Sequence, residues 1–286
     1  MGIIQGVAEF LPISSSGHLA LFQTFFGMEN MEEKYMFFTV LLHFGTLISV
    51  CMVYWRDIVD LIREFFLGIA ALAGRKDTGV APPPARRMVM LIIIATVPLF
   101  VMVFLQDAVN QLFSNSIMVS CALLATGFIL FFSDRMARGH KTARNATVAD
   151  ALIVGCGQAL AVIPGLSRSG TTISVGMMRG FDRAFAVRFS FLMSLPAVLG
   201  ANVLEIKDAL ASNFPIEELP MYLVGVAVSA VVGYFAIRLV KSLSDKGKFG
   251  KFAYYCWAVG LGSGHREDDA AQVTETRYKR MTLERI

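Results

Sequence analysis

A chain of 286 residues that is 55% hydrophobic, only 17% charged and has a mean hydropathy of +0.59 is too apolar for a soluble domain of its length. A formal net charge of +4, carried in loops and the tail rather than on one amphipathic helix, argues against a nucleic-acid partner. Cys51, Cys121, Cys156 and Cys256 stand singly in apolar segments, which argues against a disulfide framework or a cysteine zinc site. The expected fold class is an all-α polytopic membrane protein.

Residues 1–26 are apolar and long enough to enter a bilayer as helix. They are broken by "EFLPISSSGHLAL", Glu9 to Leu21, which carries a carboxylate, a proline, three serines, a glycine and a histidine. Irregular backbone at membrane depth is tolerated only against protein or a watery cavity, so a re-entrant hairpin is expected over 1–26. There is no basic leader with a small-residue cleavage site, so no cleavable signal peptide is expected. Three spans of the length needed to cross hydrocarbon, about 17–25 apolar residues, follow at 37–55, 88–106 and 117–133. His43, inside the first of them, reads as a satisfied core histidine. A second polar-broken segment, 151–183, predicts another re-entrant hairpin. Spans at 184–204 and 221–237 follow, then a short one at 252–261 and a polar, solvated tail at 263–286.

The link 56–87 holds Arg56, Arg63, Arg75, Lys76, Arg86 and Arg87, and the link 134–150 holds Arg135, Arg138, Lys141 and Arg144. The link 241–251 is lysine-rich, whereas 107–116 has neither Lys nor Arg and 205–220 is mainly acidic. By the positive-inside rule the basic links are cytoplasmic, and 27–35, 107–116 and 205–220 face outward. That alternation requires both hairpins to return to the side they entered from.

The two broken segments align without a gap. Ser14-Ser15-Ser16-Gly17-His18 lies over Ser167-Arg168-Ser169-Gly170-Thr171, and "FTVLLHFGTLISV" from Phe38 corresponds to "FSFLMSLPAVLGA" from Phe189. An inverted repeat is expected, since three spans per half turn the second copy upside down. The first unit covers 1–150 and the second 151–262, and their hairpin loops meet near the membrane centre.

The second loop sets Arg168 among Ser167, Ser169, Thr171 and Thr172, where a helix should begin. Helix N-termini bind anions, and arginine adds a planar fork suited to phosphate. A lone arginine at this depth needs an anionic partner. Phosphate and a structural pair with Glu9 both meet that need. The first loop offers Glu9, Gln5 one turn earlier, the hydroxyls of Ser14, Ser15 and Ser16, and the imidazole of His18. Glu9 with Gln5 can hold a divalent cation or orient water. His18 can move a proton, and a serine beside such a base can act as nucleophile. Together the two loops describe phosphoryl transfer from a lipid-linked phosphate or diphosphate.

"QGVAEFLPISSSGH" resembles the (E/Q)-x-x-x-E and S-S-x-G-H region, and "PGLSRSGTT" the P-G-x-S-R-S-x-x-T signature, of the bacterial undecaprenyl-diphosphatase or bacitracin-resistance family. The resemblance covers about residues 1–261. It implies release of phosphate from undecaprenyl diphosphate, recycling of the carrier lipid for cell-wall synthesis, and bacitracin resistance. It also implies a multi-pass protein of the bacterial inner membrane, with a site open to the periplasm and a polyprenyl diphosphate as partner. A homodimer is an allowed assembly. Carried over residue by residue, Gln5 and Glu9 fill the acidic motif, and Ser15 and His18 the loop after it. Pro164, Gly165, Ser167, Arg168, Ser169 and Thr172 fill the second signature. Glu9 is then base or metal ligand, Arg168 with its neighbouring hydroxyls the phosphate clamp, and Ser15 or His18 the nucleophile. Magnesium or calcium dependence, with Glu9 and Gln5 as ligands, is implied by the resemblance alone. Two departures are expected to weaken folding rather than the motifs: a first hairpin arm that starts close to Gln5, and a last span of about three helical turns.

The acid-phosphatase-like lipid phosphatases also use an S-G-H turn, but they need a histidine shortly after the arginine. Only His18, His43, His140 and His265 occur here, so that class is rejected. The remaining alternative is a polyprenyl-phosphate transporter or flippase, since inverted repeats with broken helices are a transporter architecture.

Overall fold

Leucine, isoleucine, valine and phenylalanine runs interrupted only by small residues favour helices that satisfy their own backbone, which is what a bilayer requires. The structure, a computed structural model, describes residues 1–19, 31–72, 83–105, 109, 116–211 and 219–263. Over 31–37, 103, 116, 201 and 204–211 only the backbone is described. The tail beyond 263 and most of the links predicted to face outward lie outside the described residues.

The first hairpin is α1 (Gly2–Ala8), an irregular turn, and α2 (residues 15–19). There follow α3 (Met31–Val53), α4 (Trp55–Leu72), α5 (Pro84–Thr96), α6 (Leu99–Phe104) and α7 (Ser116–Met136). The second hairpin is α8 (Val148–Leu160) and α9 (Arg168–Met178), followed by α10 (Arg183–Ala211), α11 (Leu219–Asp245), a 3-10 turn at Phe249–Lys251 and α12 (residues 252–263). Apart from loops, the described residues depart from helix only at one isolated bridge between Lys141 and Phe181.

Four helical stretches are long and apolar enough to cross a membrane: Pro84–Met102, Ile117–Met136, Arg183–Gly200 and Leu219–Asp245. The bent pair α3 and α4 passes the same test together and counts as a fifth where it is taken as one broken span. Large side chains such as Phe100, Phe128, Phe132, Val224 and Phe235 are exposed on these stretches, a surface that only lipid would cover. The chain is a multi-pass, all-helical membrane protein.

The expected spans are met with two differences. The first does not run into a loop at Trp55 but turns through 88° into α4. The sequence of α4 explains the turn: Arg56, Asp57, Asp60, Arg63 and Glu64 share one helix face, while Trp55, Val59, Ile62, Phe66 and Ile69 are exposed on another. Continued straight from α3, such a helix would carry its polar face into hydrocarbon, so the pair bends at this point. The second span is broken between α5 and α6 at Val97-Pro98, where proline lacks the N–H that would continue the ladder. The last helix is described over residues 252–263.

The core joins both halves. Leu91, Ala95, Leu130, Val154, Ile173, Met177, Phe189, Leu192, Ile237 and Cys256 are buried in one cluster. α11 packs on α3 and α1, while α8 packs on α5 and α9, and α9 on α7. Small residues permit the closest crossings: a Cβ at Gly2 would stand 2.8 Å from the Gly225 carbonyl, and one at Gly155 2.2 Å from that of Ala95.

Candidate active site

Serine is a preferred N-cap because its hydroxyl accepts from the unpaired N–H groups of a first turn. Both loops use it in the same way. Ser14 Oγ accepts from Gly17 N at 3.1 Å, and Ser167 Oγ accepts from Gly170 N at 3.1 Å. Within each cap the next-but-one serine stands at the same separation, with Ser14 to Ser16 and Ser167 to Ser169 both 3.3 Å between hydroxyls. Ser14 adopts a positive φ of 69°, unusual for a residue with a side chain, and Gly165 one of 92°. The loops touch reciprocally: a Cβ on Gly17 would meet Gly165, and one on Gly170 would meet Pro12, each at 3.1 Å. Thr126 on α7 donates to the Gly165 carbonyl at 3.1 Å, and Cys256 on α12 donates its thiol to the Pro12 carbonyl at 3.5 Å.

These contacts bring Arg168, at the start of α9, onto Glu9, at the end of α1. The Arg168 guanidinium pairs with Glu9 Oε1. Glu9 Oε2 accepts from Ser15 Oγ at 2.9 Å and from Gln5 Nε2 at 3.0 Å. A cavity of about 270 Å³ opens beside this cluster and is lined by Glu9, Ser14, Ser15, Ser16, Ser167 and Arg168. A carboxylate that holds a serine hydroxyl beside an arginine at a helix N-terminus is an arrangement that can activate an oxygen nucleophile against a bound phosphate.

The remaining sequence candidates stand around the cavity rather than on it. Gln5 supports Glu9 from behind. Gly165 and Ser169 hold the loops together, Ser169 Oγ lying 3.4 Å from the Leu11 carbonyl it donates to. Thr172 Oγ1 donates to the Arg168 carbonyl at 2.8 Å, and Thr171 is buried in the same turn. His18 faces away from the cluster. Its Nδ1 lies 2.8 Å from the Ser14 carbonyl and its Nε2 2.8 Å from the Tyr255 hydroxyl, with the two rings stacked at 5.6 Å. The carbonyl fixes the proton on Nδ1, leaving Nε2 to accept from Tyr255.

Three lining residues were missed. His43, read from sequence as a satisfied core histidine, is tied by Nδ1 to the Thr39 carbonyl at 2.9 Å and points Nε2 toward Glu9 Oε2 at 3.9 Å. Gln158 and Asn202 also line the cavity. A polar side chain inside an apolar span was the available signal for His43 and Asn202. For Gln158 the signal was its alignment with Gln5.

The donor set does not fit a resident divalent cation. Among the described residues no three His, Cys, Asp or Glu side chains cluster. Glu9 is committed to Arg168, Ser15 and Gln5, and Gln5 turns its amide nitrogen rather than its oxygen to the carboxylate. Calcium and magnesium require several oxygen ligands.

Residues 1–262 match the model of the family described as "Bacitracin resistance protein BacA". The chain is 41% identical over 261 residues to a curated protein of Alkaliphilus metalliredigens named undecaprenyl-diphosphatase, covering 91% of this chain and 94% of that one. Proteins of the same name from Halothermothrix orenii and Methanosphaera stadtmanae are 40% and 38% identical, each over 91% of this chain and 93% and 94% of their own. With the motif residues joined in one cavity and the likeness running through nearly the whole sequence, the chain belongs to the bacitracin resistance protein BacA family.

Proposed function

We propose that this protein is an integral membrane phosphatase that converts undecaprenyl diphosphate to undecaprenyl phosphate and inorganic phosphate. The observation that carries the reading is the Glu9 carboxylate, bonded at once to the Ser15 hydroxyl and the Arg168 guanidinium at the edge of one cavity. Its relatives' name supplies the substrate class.

In this mechanism Glu9 Oε2 takes the Ser15 proton while Ser15 Oγ attacks the terminal phosphorus. The bond from phosphorus to the bridging oxygen breaks, and polyprenyl phosphate departs with that oxygen. The second ionisation of a phosphate lies near neutrality, so this leaving group needs little help from an acid. Glu9 gives the Ser15 proton up through the cavity to solvent as polyprenyl phosphate leaves, then takes one from a water that attacks the phosphoserine, and returns it to Ser15 Oγ as inorganic phosphate is released. Arg168 and the first N–H groups of α9 bear the charge on the equatorial oxygens. His18 serves as a positioning residue that pins the Ser14 carbonyl, and His43 steadies Glu9 from the opposite wall. No step runs through a cation. The magnesium or calcium dependence implied by the resemblance is proposed for an ion carried in on the diphosphate's own oxygens.

The reciprocal contacts support the inverted repeat. Gly17 to Gly165 becomes Gly170 to Pro12 when the aligned halves are exchanged, and the bond from Thr126 to Gly165 becomes that from Cys256 to Pro12. In the same exchange α1 on α11 becomes α8 on α5. We therefore assign units at 1–150 and 151–262. By the positive-inside rule the cavity opens to the outer side of the bacterial inner membrane, where the enzyme would recycle the carrier lipid for wall synthesis and confer bacitracin resistance. That same symmetry also favours the transporter alternative.

The deciding experiment is phosphate release from polyprenyl diphosphate by purified protein, with and without chelator, against Arg168→Ala. Release by wild type and a loss of roughly a thousandfold in the variant is expected. Lipid translocation without phosphate release would favour the transporter and refute the phosphatase.

A further inference from the structure

The two hairpins differ at one chemically decisive position. Gln5 donates Nε2 to Glu9, whereas its aligned counterpart Gln158 is followed one turn later by Val162 in place of a carboxylate. Gln158 has therefore lost the group its counterpart holds. It is 1% exposed, and neither its amide nitrogen nor its amide oxygen has a partner among the described residues. Asn202, 3% exposed on α10 and lining the same cavity, likewise leaves Nδ2 without one. Burying amide donors unpaired is costly, and such groups in a cavity wall call for a ligand acceptor. Both residues line the cavity that contains Arg168.

The cavity lining is of two kinds. One kind is the ionic and hydroxyl group of Glu9, Ser15 and Arg168; the other is the neutral amides of Gln158 and Asn202 together with the apolar side chains of Leu99, Val162 and Leu166. A diphosphate ester has two unequal phosphates. The terminal one must lie on Ser15 and Arg168 to be attacked. The proximal one has less charge, is repelled by Glu9 and continues into hydrocarbon, so it needs neutral donors beside an apolar exit.

We propose that Gln158 and Asn202 form a subsite for the phosphate that stays on the lipid, with Leu99, Val162 and Leu166 receiving the first prenyl unit. This rests on the diphosphatase reading. Glutamine at 158 without a carboxylate at 162 makes the site asymmetric: one half breaks the anhydride and the other holds what remains.

The test compares wild type with Gln158→Leu and Asn202→Leu, which keep volume and remove the donors. KM for polyprenyl diphosphate should rise about tenfold in each, with a smaller fall in kcat. Binding of polyprenyl monophosphate, followed by thermal shift, should weaken about tenfold, while inhibition by inorganic phosphate stays at the wild-type level. Weakened inorganic-phosphate inhibition with unchanged monophosphate binding would overturn the assignment. So would a fall in kcat and melting temperature at constant KM, the mark of a structural role. Wild type that binds polyprenyl monophosphate but releases no phosphate would refute the phosphatase reading instead, and the binding arm would still judge the subsite.

Discussion

Two ionic clusters in this molecule look alike in sequence and differ in kind. Around Asp150 every acceptor is used. Oδ2 takes Lys141 Nζ at 2.8 Å and Thr147 N at 3.0 Å, Oδ1 takes Arg179 Nε at 3.0 Å, and Thr147 Oγ1 returns a bond from Asp150 N at 3.1 Å. The carboxylate is fully buried and ties the link before α8 to the end of α9. Nearby, Asp134 pairs with Arg183 and accepts from Gly250 N at 3.0 Å, fastening the turn before α12 to α7. Around Glu9 the network is equally dense but incomplete: Gln5 Oε1, both ends of Gln158 and Asn202 Nδ2 lack partners among the described residues, and a cavity adjoins them. A closed network holds helices together, whereas an open one at membrane depth is maintained for something that arrives.

The comparison can be broken most severely at Ser15. Ser15→Ala removes the proposed nucleophile from the open network and should cost roughly a thousandfold or more in kcat, with the melting temperature nearly unchanged, as read by phosphate release beside a thermal melt. Arg168→Lys keeps the charge but not the fork, and should cost about a hundredfold in kcat/KM. A melt that falls as far as the activity would mean that the Glu9 network is structural too.

The closed network should behave in the opposite way. Asp150→Ala leaves Lys141 and Arg179 without their carboxylate. Buried pairs broken in this way cost several kcal/mol, but both cations reach solvent here, so about 2 kcal/mol of stability is expected. The activity of the protein that remains folded should stay within about twofold of wild type. A smaller effect lies at His43: His43→Leu should lower kcat/KM about tenfold, whereas His43→Gln, which keeps a hydrogen-bonding tip toward Glu9, should restore most of it. Restoration would identify a positioning role, and an equal loss in both variants would make the imidazole's proton transfer essential. The smallest change is Tyr255→Phe, which removes the hydroxyl bonded to His18 and should cost about 1 kcal/mol or less in a thermal melt.

Much of the site was legible because its chemistry is local. Serine is a preferred N-cap and the cap is made within one turn, so the two S-x-S-G turns could be read from the chain; Glu9 was named from sequence as one of two anionic partners for Arg168, and the structure shows the pair. Hydropathy located the spans for the same reason, since crossing a bilayer demands length and apolarity that a sequence window records. The histidines could not be sorted in that way. His18 sits in the motif and His43 in a span, yet it is His43 that lines the cavity.

What the sequence determined by itself was therefore the inventory: the helices, the two capped loops, and the carboxylate, hydroxyl and guanidinium they carry. What only the tertiary structure decided was facing. The turn of α4 away from α3, the aim of His18 at Tyr255, the reach of His43 toward Glu9 and the isolation of Gln158 and Asn202 all depend on how each helix is rotated against its neighbours. That rotation is set by close crossings such as Gly155 on Ala95 and Gly2 on Gly225, contacts between residues far apart in the chain that no local pattern records.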